Sequence, residues 1–165
     1  MEISFKKARA EDRPFLAHVC READRLYARI MPGNYKRLAD NFEKNGLPEE
    51  YSIYIMKNCN QNIGFLGFAS LNKKVMYLVG LFMLFDYQRQ GYGSLALKQY
   101  LKILQADGYE KVILLAHKKA RWAVDFYSKN NFTIYSGNYE EIKNYAGGAM
   151  RAFAMPATYL MKRNL

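Results

Sequence analysis

The chain is poor in cysteine. Two in 165 residues, Cys20 and Cys59, are too few for a disulfide framework or a thiolate metal cluster and fit a reducing compartment, so the cytoplasm is the expected location. Long apolar runs are missing too. No stretch approaches the roughly 18 residues of a membrane-spanning helix, and no apolar segment follows the opening Met-Glu-Ile-Ser-Phe-Lys-Lys in the manner of a signal peptide. No membrane partner is expected. Repeats, low-complexity segments and interdomain linkers are absent as well, so a single compact domain over 1–165 is expected. Acidic residues are scarce, 15 against 25 basic ones, for a net charge of +10. Such an excess attracts nucleic acid, an anionic membrane or a polyphosphate ligand. Yet there is no arginine-rich arm, and the longest basic runs are the pairs Lys6-Lys7, Lys73-Lys74 and Lys118-Lys119. With no stacking platform or recognition-helix motif beside them, nucleic acid ranks last as a partner.

Half of the residues are hydrophobic and 15% aromatic, the composition of a folded domain with a sizeable core. Ile3 to Ala8 reads as a first strand. Acidic groups before Pro14 then start a helix, along which Phe15, Leu16, Val19, Cys20, Ala23, Leu26, Tyr27 and Ile30 recur at helical spacing. Residues 31–34 end it, and a weaker helix is expected over 35–44. Tyr51 to Met56, Ile63 to Leu71 and Val75 to Phe85 read as an antiparallel meander, its third member the most apolar and therefore central. Leu97, Tyr100, Leu101 and Leu104 mark one face of a helix that stops at Asp107-Gly108. Lys111 to Ala116 is a short buried strand, completing a βαβ unit with a parallel strand pair. A helix over 120–129, strands over 132–136 and 153–161, and a loop over 137–151 complete the chain. The fold class is thus α/β (α+β), a mixed, mostly antiparallel sheet flanked by helices.

The organising stretch is Val79 to Leu97, where an apolar strand meets a polar turn carrying Gly91 and Gly93 just before a helical pattern. The first backbone N–H groups of a helix have no internal partner and sit at the positive end of its dipole. Glycine allows close approach and unusual dihedrals. On spacing alone, such a junction is either a structural turn or an anion site. The string Gln88-Arg89-Gln90-Gly91-Tyr92-Gly93 resembles the Gln/Arg-x-x-Gly-x-Gly/Ala signature of the GCN5-related N-acetyltransferase family. The element order, β-α-α-β-β-β-α-β-α-β-β, is also similar to that family's. The resemblance implies that Gln88, Arg89, Gln90, Gly91, Tyr92, Gly93 and Ser94 hold the pyrophosphate of acetyl-CoA. It further implies that Leu81, Phe82 and Met83 offer main-chain groups to the pantetheine arm and polarise the thioester carbonyl.

Residues 120–132 resemble a second family pattern, Asn-x-x-Ala-x-x-x-Tyr-x-x-x-Gly-Phe, which assigns Tyr127 as proton or hydrogen-bond donor to the departing thiolate. Two positions depart from it. Ala120 replaces an asparagine and removes a side-chain contact to the ligand, for which Lys118, Lys119 or Arg121 are cationic substitutes. Asn131 replaces a glycine, a mild change because asparagine tolerates a left-handed backbone.

The general base is not visible. In some relatives a glutamate on the fourth strand serves, but the corresponding residue here is Tyr77, and no carboxylate occurs between Glu50 and Asp86. Water, the pair Glu140 and Glu141, or His117 remain as alternatives. Cys20 reads as core and Cys59 as a turn residue, so direct transfer in a ternary complex is expected rather than an acetyl-cysteine. The implied activity is acetyl transfer to a primary amine: a small polyamine or amino compound, an aminoglycoside-like amine, or a peptide N-terminus or lysine. Residues 15–42 and 137–151 would border the acceptor. A non-catalytic acyl-CoA-binding module is the alternative. Monomer and homodimer are both open.

Overall fold

The computed structural model describes residues 2–31 and 36–165. Seven strands, β1 (Ile3–Lys7), β2 (Ser52–Asn58), β3 (Gln61–Ser70), β4 (Val75–Met83), β5 (Lys111–His117), β6 (Thr133–Ser136) and β7 (Thr158–Asn164), form one sheet. Their order is β1-β2-β3-β4-β5-β7-β6. The helices are α1 (Arg13–Ile30), α2 (Asp40–Glu43), α3 (Tyr92–Ala106), α4 (Arg121–Lys129) and α5 (Tyr139–Gly148). This is the mixed, mostly antiparallel architecture expected, with the single parallel pair β4 and β5. The chain clusters into two compact units, one of Met1–Phe68 and Gly80–Leu97, the other of Ala69–Val79 and Lys98–Leu165.

In the first unit, β1 pairs antiparallel with β2 from Ile3↔Asn58 to Lys7↔Tyr54. β2 pairs with β3 through a two-residue turn in which Cys59 takes a φ of 52°. Pro14 lies in the first turn of α1, where its missing N–H removes no helical bond. The apolar stripe of α1 buries Leu16, Val19 and Cys20 against Ile53, Ile55 and Phe65. Each large aliphatic side chain so buried contributes about 1.5–3 kcal/mol.

Asp24 is also buried, and its carboxylate accepts from Leu38 N–H at 2.7 Å and Ala39 N–H at 3.2 Å. This anchors the segment leading into α2, which is only Asp40–Glu43. The helix expected over 35–44 is therefore shorter, because Asp24 takes the amides that would begin a longer one. Tyr35 lies outside the described residues, as do residues 32–34, where the first helix was expected to end.

In the second unit, β4 runs parallel to β5 from Val75↔Lys111 to Leu78↔Leu114. β5 pairs antiparallel with β7, and β7 with the edge strand β6. Leu101 and Leu104 of α3 are buried, and the helix closes as expected at Gly108, with φ 92°. Its reversal carries both bonds of a Schellman cap, Tyr109 N–H to Leu104 O at 3.0 Å and Gly108 N–H to Gln105 O at 3.1 Å.

Two expectations are corrected here. Residues 137–151 are not a loop: Asn138 caps α5, its side chain accepting from the amides of Glu140 and Glu141 at 2.9 and 3.1 Å, while Ile142 is fully buried. The helix stops where Ala146, Gly147 and Gly148 take φ values of 52°, 68° and 90°. The last strand begins at Thr158 rather than Phe153, since Phe153 and Ala154 continue a turn by donating to Met150 O at 3.0 and 2.8 Å.

Candidate functional site

The first unit holds the turn over residues 84–94, where the cradle is expected. β4 ends at Met83, two residues earlier than the sequence suggests, because Phe85–Tyr87 turn into a 3-10 helix. Tyr87 N–H and Gln88 N–H donate to the carbonyls of Leu84 and Phe85 at 3.0 and 3.1 Å. The following backbone takes a left-handed conformation at Arg89, φ 59°, and again at Gly91, φ 88°. α3 starts at Tyr92, and its first helical bond runs from Leu95 N–H to Gly91 O at 3.0 Å. The amides of Tyr92 and Gly93 come before that bond, so they have no acceptor within the helix. Arg89, Gln90, Gly91 and Ser94 are exposed. Gly93 corrects the sequence reading: it lies inside the first turn of α3, and the unusual dihedrals belong to Gly91 and, unforeseen, to Arg89.

Side chains around this turn hold its shape. Gln88 Nε2 donates to Met83 O at 2.8 Å, and Gln90 Nε2 to Asp86 O at 2.6 Å. Tyr92 Oη accepts from Asn58 Nδ2 at 3.0 Å, while Tyr87 Oη donates to Gln61 Oε1 at 2.7 Å. The two tyrosine rings meet edge to face at 5.9 Å. The start of α3 is thereby tied to the β2–β3 hairpin. Both glutamine amides are engaged with main-chain carbonyls and therefore act on the conformation of the turn.

Upstream, the Phe82 ring packs on Phe65 at 5.1 Å, and Phe65 on Phe42 at 5.7 Å. The side chain at position 82 thus belongs to the core, leaving main-chain groups for any ligand. Met83 is buried, with its carbonyl taken by Gln88. β3 and β4 approach closely here: a Cβ added at Gly64 would lie 2.2 Å from the Phe82 carbonyl oxygen.

Residues that the sequence reading overlooked stand at the same strand end. Glu22 Oε2 accepts from Phe85 N–H at 2.7 Å, and Glu22 Oε1 lies 4.0 Å from His18 Nε2. Their spacing of four on the polar side of α1 was the available signal.

In the second unit, Tyr127 is buried on α4 with its ring against Phe126 at 5.1 Å and Phe132 at 5.7 Å. Asn131, with φ 64°, ends the helix in the left-handed conformation that the sequence allowed for. Phe132 N–H reaches Tyr127 O and Asn131 N–H reaches Ser128 O, both at 3.0 Å. This Schellman cap turns the chain back so that Phe132 packs on Tyr127. Ala120 is buried at the N-terminus of α4, where its methyl cannot cap the helix.

The alternatives for a base have other engagements. Tyr77 is buried against Phe153, ring centroids 4.7 Å apart. Glu140 pairs with Lys143 at 3.0 Å, and Glu141 accepts from Ser136 Oγ at 2.5 Å. His117 Nδ1 accepts from Lys119 N–H at 3.2 Å, so the neutral ring carries its proton on Nε2 and presents a donor. Burial, helped by the Lys119 charge, holds its pKa below the ordinary histidine value. Lys118 donates to Gly137 O at 2.8 Å and lies over the Tyr159 ring, and like Lys119 and Arg121 it is exposed. Burial pushes the Cys20 thiol up to about 12, far from a thiolate nucleophile. No helix among the described residues is long and apolar enough to cross a membrane.

Comparison with known proteins agrees with this fold. The model of the acetyltransferase (GNAT) family matches residues 17–132. No curated protein sequence matches the chain. Among solved structures, the PaiA N-acetyltransferase of Thermoplasma acidophilum, in complex with coenzyme A, is similar at 19% identity and a TM-score of 0.73, covering 100% of both chains. An acetyltransferase of Thermus thermophilus is 16% identical with a TM-score of 0.72, over 100% of this chain and 98% of that one. A GNAT family acetyltransferase of Elizabethkingia anophelis with acetyl-CoA bound is 15% identical with a TM-score of 0.64, over 99% of this chain and 98% of that one. At these identities the structures establish the fold, and the family match covers more than half of the sequence. The chain belongs to the acetyltransferase (GNAT) family.

Proposed function

We propose that the protein is an N-acetyltransferase that moves an acetyl group from acetyl-CoA to a primary amine by direct attack in a ternary complex. The observation that carries this reading is the left-handed backbone at Arg89 and Gly91 leading into the first turn of α3. That conformation, with exposed residues at 89–91 and 94, suits a diphosphate gripped by main-chain N–H groups at the positive end of a helix. Arg89, Gln90, Gly91, Tyr92, Gly93 and Ser94 are assigned to that grip. Gln88 acts by fixing the strand end, and Leu81, Phe82 and Met83 provide main-chain contacts for the pantetheine arm. Solved relatives of the same fold hold coenzyme A or acetyl-CoA.

In the reaction, the amine's lone pair forms a bond to the thioester carbonyl carbon, and the C–S bond breaks. A cationic acceptor first gives up a proton to water, and the attacking nitrogen loses a second to water as the C–N bond forms. The departing thiolate takes one from the Tyr127 hydroxyl, and the Tyr127 phenolate regains one from solvent. Neither cysteine is assigned a covalent role. The test is thiol release from acetyl-CoA across a panel of primary amines, with mass spectrometry of the protein. Amine-dependent release without a stable acetyl-enzyme supports the reading. Coenzyme A binding with no turnover on any amine would favour a binding module.

A further inference from the structure

We propose that Glu22 binds the ammonium group of the acceptor, with His18 beside it. The inference rests on the acetyltransferase reading and adds the acceptor's charge class: a cationic primary amine. It starts from the partners of the carboxylates carried by α1, α2 and the turn before α1. Glu11 is exposed in that turn, Asp12 is held by Lys6 Nζ at 2.8 Å and Arg9 N–H at 2.9 Å, and Asp24 by the amides of Leu38 and Ala39. Asp40 pairs with Lys44 at 3.0 Å, and Glu43 with Arg21.

Glu22 differs from these. Among the described residues its ion-pair partner is His18, at 4.0 Å, which is charged only when protonated. Arg25, exposed on the next turn of α1, makes no ion pair with it. Its other contact is the neutral Phe85 amide at 2.7 Å, which fixes the carboxylate without neutralising it. The Glu22 side chain is 20% exposed, so its charge is reachable yet less screened than one in open water.

Position gives this charge its meaning. Phe85 lies two residues past the end of β4 and three before Gln88, so Glu22 is fixed where the strand passes into the cradle turn. An ammonium carries three N–H donors and no acceptor. One donor can engage Glu22 Oε1, and His18 Nε2 adds a second acceptor when unprotonated. On a protein of net charge +10, such a fixed anion recruits a cation where the overall field would repel one.

The test uses the isotope-labelled full chain and follows the Phe85 amide by NMR during titration with butylammonium, with butanol as the uncharged control. In Glu22→Gln the side-chain oxygen still accepts from Phe85 N–H, so the clip is kept while the charge is lost. The expected result is a saturable shift at Phe85 with butylammonium, absent with butanol and weakened roughly ten- to hundred-fold in Glu22→Gln. Equal responses in the two proteins, an equal response to butanol, or no saturable shift at Phe85 would each overturn the proposal. A parallel titration with coenzyme A reads the amides of residues 89–94. These should respond alike in both proteins, and their silence would instead count against the acetyltransferase reading.

Discussion

Gln88 donates from its side-chain amide to the carbonyl of Met83 at 2.8 Å, binding the first residue of the signature to the last residue of β4. The bond closes the 3-10 turn between them and sets the direction in which residues 89–91 leave the strand. Gln88→Ala removes one hydrogen bond to a part-buried carbonyl, a loss of about 1 kcal/mol. Calorimetry should show acetyl-CoA binding weakened about fivefold, since 1.4 kcal/mol is tenfold. Unchanged affinity would mean that the tie does not shape the site.

The two glycines of the turn should separate cleanly. Gly91 has φ 88°, so Gly91→Ala is strained by about 1–2 kcal/mol in urea denaturation. Gly93 is helical, and Gly93→Ala should raise stability by up to about 1 kcal/mol. Coenzyme A affinity should fall in Gly91→Ala, where the left-handed turn is disturbed, and hold in Gly93→Ala, since the signature that residues 88–93 resemble admits alanine at that position. Equal losses of affinity in the two variants would contradict this separation.

Asn131 holds a left-handed position of the kind that glycine usually fills. At φ 64° it caps α4 and swings Phe132 onto Tyr127. Asn131→Gly should hold or slightly raise the thermal midpoint, while Asn131→Val should cost about 2 kcal/mol. Equal midpoints for the two variants would contradict the cap.

Tyr127→Phe keeps the ring that packs on Phe126 and Phe132 and removes only the hydroxyl. If that hydroxyl protonates the thiolate, kcat should fall about a hundredfold or more with coenzyme A affinity unchanged. An unaltered kcat would reduce Tyr127 to a packing residue.

The Cys20 thiol, which burial pushes up to about 12 from an ordinary 9.0, gives a signed pH prediction. A raised folded-state pKa contributes stability that is complete below the unfolded value and disappears as pH climbs through the folded one. Stability measured in urea should therefore decline from about pH 9 upward. Burial also raises the Tyr27 phenol, which adds to the decline in the same direction. Cys20→Ala should make the decline shallower, and an unchanged slope would contradict the burial argument.

Much of this was legible in the sequence because it is local. The helical stripe of α1, the glycine stop at Gly108 and the left-handed allowance at Asn131 each follow from residues within a turn or two of one another. The helix α5 was missed because Gly147-Gly148 looks like loop when read alone, whereas the capping side chain of Asn138 lies nine residues upstream of the first of them. The shortness of α2 could not be read either, since Asp24 takes its leading amides from a different helix. Glu22 was hidden for the same reason. Its partner Phe85 is 63 residues away, and only the fold brings the carboxylate to the strand end.

The central claim, that main-chain amides at the start of α3 grip a diphosphate, is tested most directly by titrating the isotope-labelled protein with coenzyme A and recording each backbone amide. Saturable shifts concentrated on residues 89–94, and much smaller for the diphosphate-free pantetheine, are the predicted result. Equal shifts for both compounds, or none at those amides, would contradict the account.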